Sequence, residues 1–207
     1  MPLPSFRDHP VILASASPRR RDLLTEAGYD FEVDPANVSE VHDEKAGLHA
    51  LTMENASAKA WHVGRLKPHR LVIGADTLVA IDGCALTKPA DMDEARSMLR
   101  RLRGKTHEVC TAVALVCQSA DIFRRFEVVT RVTFKPLTDP ELEEYLTLIN
   151  PLDKAGGYAA QEHGDRIIAG VDGSWTNVVG LPMEALSKHL AALQVFPKSA
   201  EPDQTEA

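Results

Sequence analysis

Short apolar runs alternate along the chain with segments in which apolar residues recur at helical spacing. The runs are typical of strands, and the spaced segments are typical of helices packed on a sheet. Strands are predicted at residues 11–14, 31–33, 71–75, 78–81, 109–116, 126–134 and 166–171. Helices are predicted to begin near Pro18, Met53, Met92, Leu142 and Met183, with Asp91 as the cap of the third helix and a capping box of Thr138 and Glu141 before the fourth. This alternation, with its β-rich middle, favours an α/β or α+β fold on a mixed sheet, with two lobes around a cleft.

Nearly the whole chain is predicted to form one domain. Residues 1–197 contain no internal repeat and no linker rich in proline, serine and glycine. A chain of 207 residues is long enough to bury a sizeable core without disulfides. Residues 198–207 are acidic and contain proline, so this tail is predicted to be disordered.

The first predicted strand leads through small residues into the first predicted helix. Ser17 suits the N-cap and Pro18 the first helical position, so free backbone N–H groups would lie at this turn. Three arginines, Arg19, Arg20 and Arg21, follow at once, although cations are unfavourable at a helix N-terminus unless an anion offsets them. We therefore expect an anion-binding site here. The alternative is a surface helix whose first turn happens to be basic.

Asp76 directly follows the compact apolar run of residues 71–75, which predicts that it lies at the end of a buried strand. At the carboxyl edge of a sheet, a carboxylate is suited to hold a divalent metal or to act as a general base. The alternative is that Asp76 caps the next element or accepts backbone hydrogen bonds. The anion site expected near Arg19 favours the first interpretation, because phosphates and magnesium usually bind together.

Composition narrows the possible partners and the compartment. The formal charge is −7, which argues against binding of duplex nucleic acid. Cys84, Cys110 and Cys117 form no metal-like pair, so we expect buried thiols in a reducing compartment rather than a disulfide framework or a zinc site. Residues 1–10 contain no apolar signal core, and no run reaches membrane-spanning length. The sequence therefore predicts a soluble cytoplasmic protein without a nucleic-acid or membrane partner.

Five short motifs occur in the order in which they occur in proteins of the Maf family. They are LASASPRRR at residues 13–21, IGADT at 73–77, TKP at 87–89, DKAGGY at 153–158 and NVVGLP at 177–182. Each motif alone is weak evidence, but their order and spacing are distinctive. From Leu13 to Leu193 the chain resembles this family.

The resemblance implies a mixed α/β fold related to that of inosine-triphosphate pyrophosphatases, with the site in a cleft between two lobes. It also implies a homodimer, since proteins of the family are usually dimeric. The implied activity is that of a house-cleaning nucleoside triphosphate pyrophosphatase, which cleaves between the α- and β-phosphates and releases a monophosphate and pyrophosphate.

The resemblance also implies roles for individual residues. Asp76 matches the catalytic carboxylate, which holds a metal and accepts a proton from the attacking water, and Glu40 matches a second metal ligand. The positions that line the phosphates are Ser15, Ser17, Arg20, Lys59 and Lys88. Carboxylate and phosphate oxygens suit Mg²⁺, and Mn²⁺ is a workable substitute.

Three further positions are associated with substrate choice in the family. Arg19, Thr77 and Gln161 match the branch that acts on dTTP and UTP, whereas the branch acting on 7-methyl-GTP tends to carry an aromatic residue at the first position and glutamate at the last. Residues 159–163 depart from the usual Gly-Ile-Gln-Gly pattern, because Glu162 and His163 are larger or charged. Modified pyrimidine nucleotides, 7-methyl-GTP and other nucleoside triphosphates therefore stay open as alternative substrates.

A non-catalytic role is the alternative of another class. Maf proteins are also associated with inhibition of cell division, so the chain could act as a regulator. The presence of Asp76, Lys59 and Lys88 together favours an enzyme.

Overall fold

The computed structural model describes residues 6, 9–41 and 47–198. The strands in this part of the chain are β1 (Val11–Leu13), β2 (Phe31–Val33), β3 (Val72–Ile81), β4 (Cys84–Leu86), β5 (Thr106–Cys117), β6 (Ile122–Phe134) and β7 (Ile168–Asp172). The α-helices in the same part are α1 (Pro18–Glu26), α2 (Leu48–Leu66), α3 (Met92–Leu102), α4 (Asp139–Leu148), α5 (Gly164–Ile167), α6 (Trp175–Val179) and α7 (Met183–Ala191).

The seven described strands form one mixed sheet. The strand order is β2-β1-β3-β5-β6-β7, and β4 pairs with the far part of β3. Strand β1 runs parallel to β2 and β3, whereas the other pairs are antiparallel. Helices flank this sheet, which confirms the predicted fold class.

Strand β3 differs from its prediction. The sequence predicts a strand that ends at Ala75, but β3 continues through Asp76 and Thr77 to Ile81. The neighbouring β5 pairs with it without interruption from Val72 onward, and this pairing overrides the poor strand propensity of aspartate. The prediction that Asp76 lies at the end of a strand, at the carboxyl edge of the sheet, is therefore wrong.

Asp76 nevertheless lies beside a gap in the sheet. Strand β1 pairs with β3 only as far as Ile73, and β4 pairs with it only from Val79 onward. Among the described strands, none pairs with residues 74–78 on that side of β3. The gap leaves this edge of the middle of β3 without a neighbouring strand, so a cavity can form next to Asp76.

Two hydrophobic clusters lie at the two ends of β3. One includes Ile73 and packs residues of β1, α1 and α7 together. The other includes Val79 and Ile81 and packs residues of α3 and α4 against the sheet. Asp76 and Thr77 lie between these clusters, so the fold has two lobes that share one sheet.

The predicted starts of α1, α3 and α7 are confirmed, whereas β5 and β6 begin earlier than predicted. Ser17 and Asp91 cap α1 and α3, and Thr138 forms the predicted capping box with Glu141 before α4. Helix α2 begins at Leu48, earlier than predicted. The predicted strand at residues 166–171 is shifted, because α5 covers its first two positions before β7 begins.

No helix among the described residues is long and apolar enough to cross a membrane. The backbone N–H of Lys198 donates to the carbonyl of Gly28 at 2.9 Å. The rest of the predicted tail lies outside the described residues, so its disorder stays a prediction.

Candidate active site

Helix α2 lies very close to β3 because Gly74 has no side chain. A Cβ atom at this position would collide with the backbone oxygen of Ala56. Asp76 lies two residues further along β3, on the same face as Gly74. The close approach therefore brings Asn55 and Lys59 of α2 against Asp76.

Lys59 links two carboxylates at the floor of the site. Its Nζ donates to Asp76 Oδ1 and to Glu40 Oε1, each at 2.7 Å. The side chains of Lys59 and Asp76 are only 12% and 7% exposed, so water screens this interaction less than it would at the surface. We call these three residues the carboxylate–lysine cluster.

Asn55 holds the cluster in place, although it is not among the predicted site residues. Its Nδ2 donates to Asp76 Oδ2 at 3.4 Å and to the carbonyl of Val41 at 3.3 Å, and its Oδ1 accepts from the N–H of Val41 at 2.8 Å. Asn55 thus fixes both the catalytic candidate and the segment that carries Glu40. Its position four residues before Lys59, on the same helix face, is the signal that could have revealed it.

The cluster fits a divalent cation. Oxygens of Glu40 and Asp76 converge on a single positive charge, the ammonium of Lys59. Carboxylate oxygens are the ligands that Mg²⁺ and Mn²⁺ prefer. Glu40 and Asp76 are therefore the residues that could hold such an ion.

Arg20 continues the hydrogen-bond ladder of β3 where β1 stops. The carbonyls of Leu71 and Ile73 accept from backbone N–H groups at and just after β1, and the carbonyl of Ala75 accepts from Arg20 Nη1 at 2.9 Å. Arg20 Nε donates to the carbonyl of Gly180 at 2.8 Å. The buried guanidinium thus replaces a missing strand neighbour.

Most donors of Arg20 are used within the protein. Nη1 also donates to Ser15 Oγ at 3.0 Å, and Nη2 donates to Thr77 Oγ1 at 3.1 Å. These four hydrogen bonds leave one of its five N–H groups for a ligand. Burial lowers the pKa of the Arg20 guanidinium, and the charge of Asp76 opposes this effect. Only this one N–H group and the positive charge of Arg20 are therefore available for the predicted contact with phosphate.

Ser15 and Ser17 place donors at the start of α1. Ser15 Oγ accepts hydrogen bonds from Arg20 and from the N–H of Ser17, the latter at 3.3 Å. Since both acceptor positions of this hydroxyl are used, its hydrogen is available to a ligand. Ser17 Oγ accepts from the N–H of Arg20 at 3.5 Å and caps the helix.

Lys88 and Gln161 lie on loops at the other side of the site. Both are exposed, and neither side chain makes a hydrogen bond or ion pair within the part of the chain that the structure describes. Arg19 reaches toward this side, where its Nη1 lies 3.8 Å from Asp153 Oδ2. We call Ser15, Arg20 and the carboxylate–lysine cluster the inner wall, and Lys88 with Gln161 the outer wall.

Thr77 lines the cavity, but its hydroxyl is engaged within the protein. Its Oγ1 lies 2.9 Å from Thr111 Oγ1 and 3.4 Å from the carbonyl of Gly180, in addition to its bond with Arg20. Its hydroxyl therefore takes part in the network that holds Arg20.

Lys154 is a cavity residue that is absent from the predicted set. Its buried Nζ donates to the carbonyl of Asn150 at 2.9 Å and to Asp153 Oδ1 at 2.8 Å. Glu162 Oε1 lies 3.6 Å away, so Lys154 offsets the charge that distinguishes this loop from the usual family pattern.

A buried aromatic pair supports the cavity from below. His107 Nε2 lies 2.9 Å from the hydroxyl of Tyr158, and Tyr158 lines the cavity. Burial lowers the pKa of His107 to about 4 and raises that of Tyr158. Both side chains are therefore neutral near pH 7.

The predicted site residues meet in one cavity of about 790 Å³. Its lining includes all ten of them: Ser15, Ser17, Arg19, Arg20, Glu40, Lys59, Asp76, Thr77, Lys88 and Gln161. This volume lies within the range of small-molecule sites. The fold and the cavity define an α/β protein with a cleft for a polyanionic small molecule.

The chain belongs to the Maf family. The family model described as Maf-like protein matches residues 10–193. The chain is 47% identical over 184 residues to a protein of Akkermansia muciniphila named dTTP/UTP pyrophosphatase, covering 89% of this chain and 96% of that protein. A Desulforamulus reducens protein of the same name is 42% identical, with 90% and 96% covered.

A human protein is similar to this chain over part of its own length. It is named probable bifunctional dTTP/UTP pyrophosphatase/methyltransferase protein and is 40% identical over 202 residues. The match covers 91% of this chain and 32% of the human protein.

Proposed function

We propose that this protein hydrolyses dTTP and UTP to the monophosphate and pyrophosphate. The observation that carries the proposal is the inner wall of the cavity, in which the carboxylate–lysine cluster occurs together with Ser15 and Arg20. The names of the relatives from Akkermansia muciniphila and Desulforamulus reducens support this activity and this substrate class.

The inner wall suits the triphosphate. A nucleoside triphosphate carries several negative charges, and its cleavage adds charge to the departing pyrophosphate, so the site must supply cations and donors. Arg20 and Lys59 supply positive charge, and Ser15 supplies a hydroxyl hydrogen. Lys88 adds a mobile cation from the outer wall.

Asp76 is suited to accept the proton of the attacking water. Lys59 and Asn55 hold its two oxygens, and the bond from Asn55 is long, at 3.4 Å, so Oδ2 keeps accepting capacity. The water oxygen forms a bond to a phosphorus atom as the P–O bond of the α–β bridge breaks. The proton moves to Asp76, and the pair of electrons of the broken bond leaves with the bridging oxygen.

We propose that Glu40 and Asp76 hold Mg²⁺, with Mn²⁺ as a substitute. When bound, such an ion neutralises charge on phosphate oxygens and makes a bound water easier to deprotonate. The convergence of the two carboxylates on one cation supports this assignment.

Base selection is assigned to Arg19, Thr77 and Gln161. The amide of Gln161 offers both a donor and an acceptor, which matches the alternating carbonyl and N–H groups of thymine and uracil. Thr77 contributes indirectly, because its hydroxyl is bonded to Arg20.

We further propose a cytoplasmic homodimer. The thiols of Cys84, Cys110 and Cys117 are free, which supports a reducing compartment. Cys84 is exposed, so the prediction of a buried thiol is wrong for this residue. The dimer rests on the family resemblance, and light scattering of the purified protein measures it directly.

The activity is tested with a panel of nucleoside triphosphates and Mg²⁺, with pyrophosphate release as the readout. We expect UTP and dTTP to be cleaved faster than 7-methyl-GTP and the purine triphosphates. Absence of pyrophosphate release from every member would overturn the proposal. Equal or faster cleavage of 7-methyl-GTP would overturn the substrate assignment alone.

A regulatory role is separated from catalysis by the Asp76→Asn protein. If this variant loses hydrolysis and also loses any effect on cell division, the effect depends on catalysis. An effect that persists without hydrolysis would establish the regulator as a distinct activity.

A further inference from the structure

A second group of ligand-type side chains converges outside the cavity. His49 lies in the first turn of α2, Cys110 on β5 and Glu127 on β6. In the described part of the chain, this is the group in which at least three His, Cys, Asp or Glu side chains place ligand atoms within 4.8 Å of one another. None of the three lines the cavity that contains Asp76.

The sheet register and the packing of α2 explain this convergence. Glu127 pairs with Ala112, so it lies diagonal to Cys110 on the same face of the β5–β6 pair. Helix α2 packs on that face through Ala56, which contributes to a cluster with Ala112. Its first turn therefore carries His49 above the other two side chains.

The distances approach those of a tetrahedral metal site. His49 Nδ1 lies 2.9 Å from Glu127 Oε1 and 4.0 Å from Cys110 Sγ, and Cys110 Sγ lies 3.9 Å from Glu127 Oε2. Ligand atoms around tetrahedral zinc are separated by roughly 3.2–3.7 Å, as follows from the usual bond lengths. Shifts of a few tenths of an ångström would bring all three atoms into coordination.

We propose that His49, Cys110 and Glu127 bind Zn²⁺ or a similar borderline-soft divalent ion, with the fourth position left to water. A donor set of one imidazole nitrogen, one sulfur and one carboxylate oxygen favours zinc over magnesium. The proposal is independent of the activity assigned to the cavity.

Two simpler explanations exist for the position of these three side chains. The first is hydrogen bonding alone: His49 pairs with Glu127, and the Cys110 thiol donates to Glu127 Oε2 at 3.9 Å and accepts from Thr52 Oγ1 at 3.8 Å. Such hydrogen bonds alone would give no Co²⁺ band that depends on Cys110. A nucleophilic role for Cys110 is unsuited, because the thiol is fully buried and its pKa is raised to about 11, chiefly by burial. Zinc binding differs, because the metal displaces the proton of the thiol that coordinates it and the proton is released to solvent.

The bound ion would connect α2 to the sheet. The same helix carries Asn55 and Lys59, so the ion would stabilise the element that holds Asp76 in position. The sequence predicts no zinc site, because its cysteines are not paired. A site with one cysteine and ligands from three separate elements has no such spacing signal.

Cobalt provides the test, because Co²⁺ bound to a thiolate absorbs in the near ultraviolet. The full-length protein is titrated with Co²⁺ in excess Mg²⁺, which occupies oxygen-only sites. We expect one equivalent to produce the thiolate band and Zn²⁺ to displace it. Cys110→Ser should abolish the band, and His49→Gln or Glu127→Gln should weaken binding at least about tenfold.

Two matched variants serve as controls. His62→Gln changes a histidine of the same helix outside the group, and Cys84→Ser removes the exposed thiol; both should bind Co²⁺ like the wild type. If Cys110→Ser does not fold, the variants of the exposed His49 and Glu127 carry the test. No thiolate band in the wild type, or a band that survives in Cys110→Ser, would refute the site; loss of the band in Cys84→Ser would do so as well.

Discussion

The two walls of the cavity differ in how firmly they are built. On the inner wall, Arg20 donates four hydrogen bonds within the protein, and Asp76 accepts from both Lys59 and Asn55. On the outer wall, Lys88 and Gln161 are exposed and lack such contacts among the described residues. Groups that need exact placement for chemistry are therefore preorganised, whereas groups that contact the substrate from outside can adjust to it.

The difference follows from the elements that carry each wall. Arg20, Lys59 and Asp76 of the inner wall lie on α1, α2 and β3, and Ser15 and Glu40 lie on the segments that follow β1 and β2. Ser15, Arg20 and Asp76 are buried, so their polar groups must find partners within the protein. The outer wall is built on a loop after β4 and a turn after Tyr158, where water can satisfy polar groups. Substitutions on the inner wall should therefore affect chemistry or folding, and those on the outer wall should affect binding.

Asp76→Asn should have the largest effect on activity. The amide keeps the shape of the side chain but cannot accept the proton, so we expect kcat to fall by about 10²–10⁴-fold. The variant is compared with Asp121→Asn, an exposed aspartate in a left-handed turn that asparagine also favours. A variant that folds normally and retains more than a tenth of the wild-type kcat would contradict the assignment of Asp76.

Arg20→Ala should be the most destabilising change on the inner wall. It removes the donor to the Ala75 carbonyl and the shorter of two hydrogen bonds to the Gly180 carbonyl, so we expect a loss of about 3 kcal/mol in the free energy of unfolding. Urea denaturation measures this loss, and Arg21→Ala on the exposed side of α1 should cost less than about 0.5 kcal/mol. Equal stability of the two variants would show that Arg20 does not replace a strand neighbour.

Gly74→Ala should disturb the inner wall without changing any polar side chain. Because the added Cβ collides with the backbone of α2, we expect a loss of about 1–3 kcal/mol together with reduced kcat. Gly170→Ala is the matched control, since a Cβ there has no neighbour within 4 Å. A Gly74→Ala protein with normal stability and kcat would disprove the role of close packing in holding Lys59 and Asn55.

Lys88→Ala should have the smallest effect and should change binding alone. Loss of one charge-assisted hydrogen bond to phosphate is worth about 1.5 kcal/mol, so we expect KM to rise about tenfold. The melting temperature should stay the same, because the Lys88 side chain makes no hydrogen bond or ion pair in the described structure that the substitution would remove. A large fall in melting temperature would place Lys88 in the inner wall instead.

Features that depend on neighbouring residues could be predicted from the sequence. Ser17, Asp91 and Thr138 were predicted as helix caps from neighbouring residues, and the structure confirms each cap. All ten predicted site residues line one cavity, and seven of them belong to the short motifs at residues 13–21, 73–77 and 87–89. Their individual roles in catalysis and binding stay predictions.

Features that depend on long-range contacts were not predictable in this way. The continuity of β3 through Asp76 requires pairing with β5, and the role of Arg20 depends on Ala75 and Gly180, which are 55 and 160 residues away. The spacing of Asn55 and Lys59 places both on one face of α2, but the partners of Asn55, Val41 and Asp76, are also distant in the sequence. Local periodicity contains no information about these contacts.

The most direct test of the proposed function is the identity of the phosphorus-containing products. Phosphorus NMR follows dTTP incubated with the wild-type protein and Mg²⁺, with Asp76→Asn in parallel. Cleavage between the α- and β-phosphates predicts dTMP and pyrophosphate in equal amounts with the wild type and neither with the variant. Release of dTDP and orthophosphate, or equal turnover by both proteins, would contradict the account.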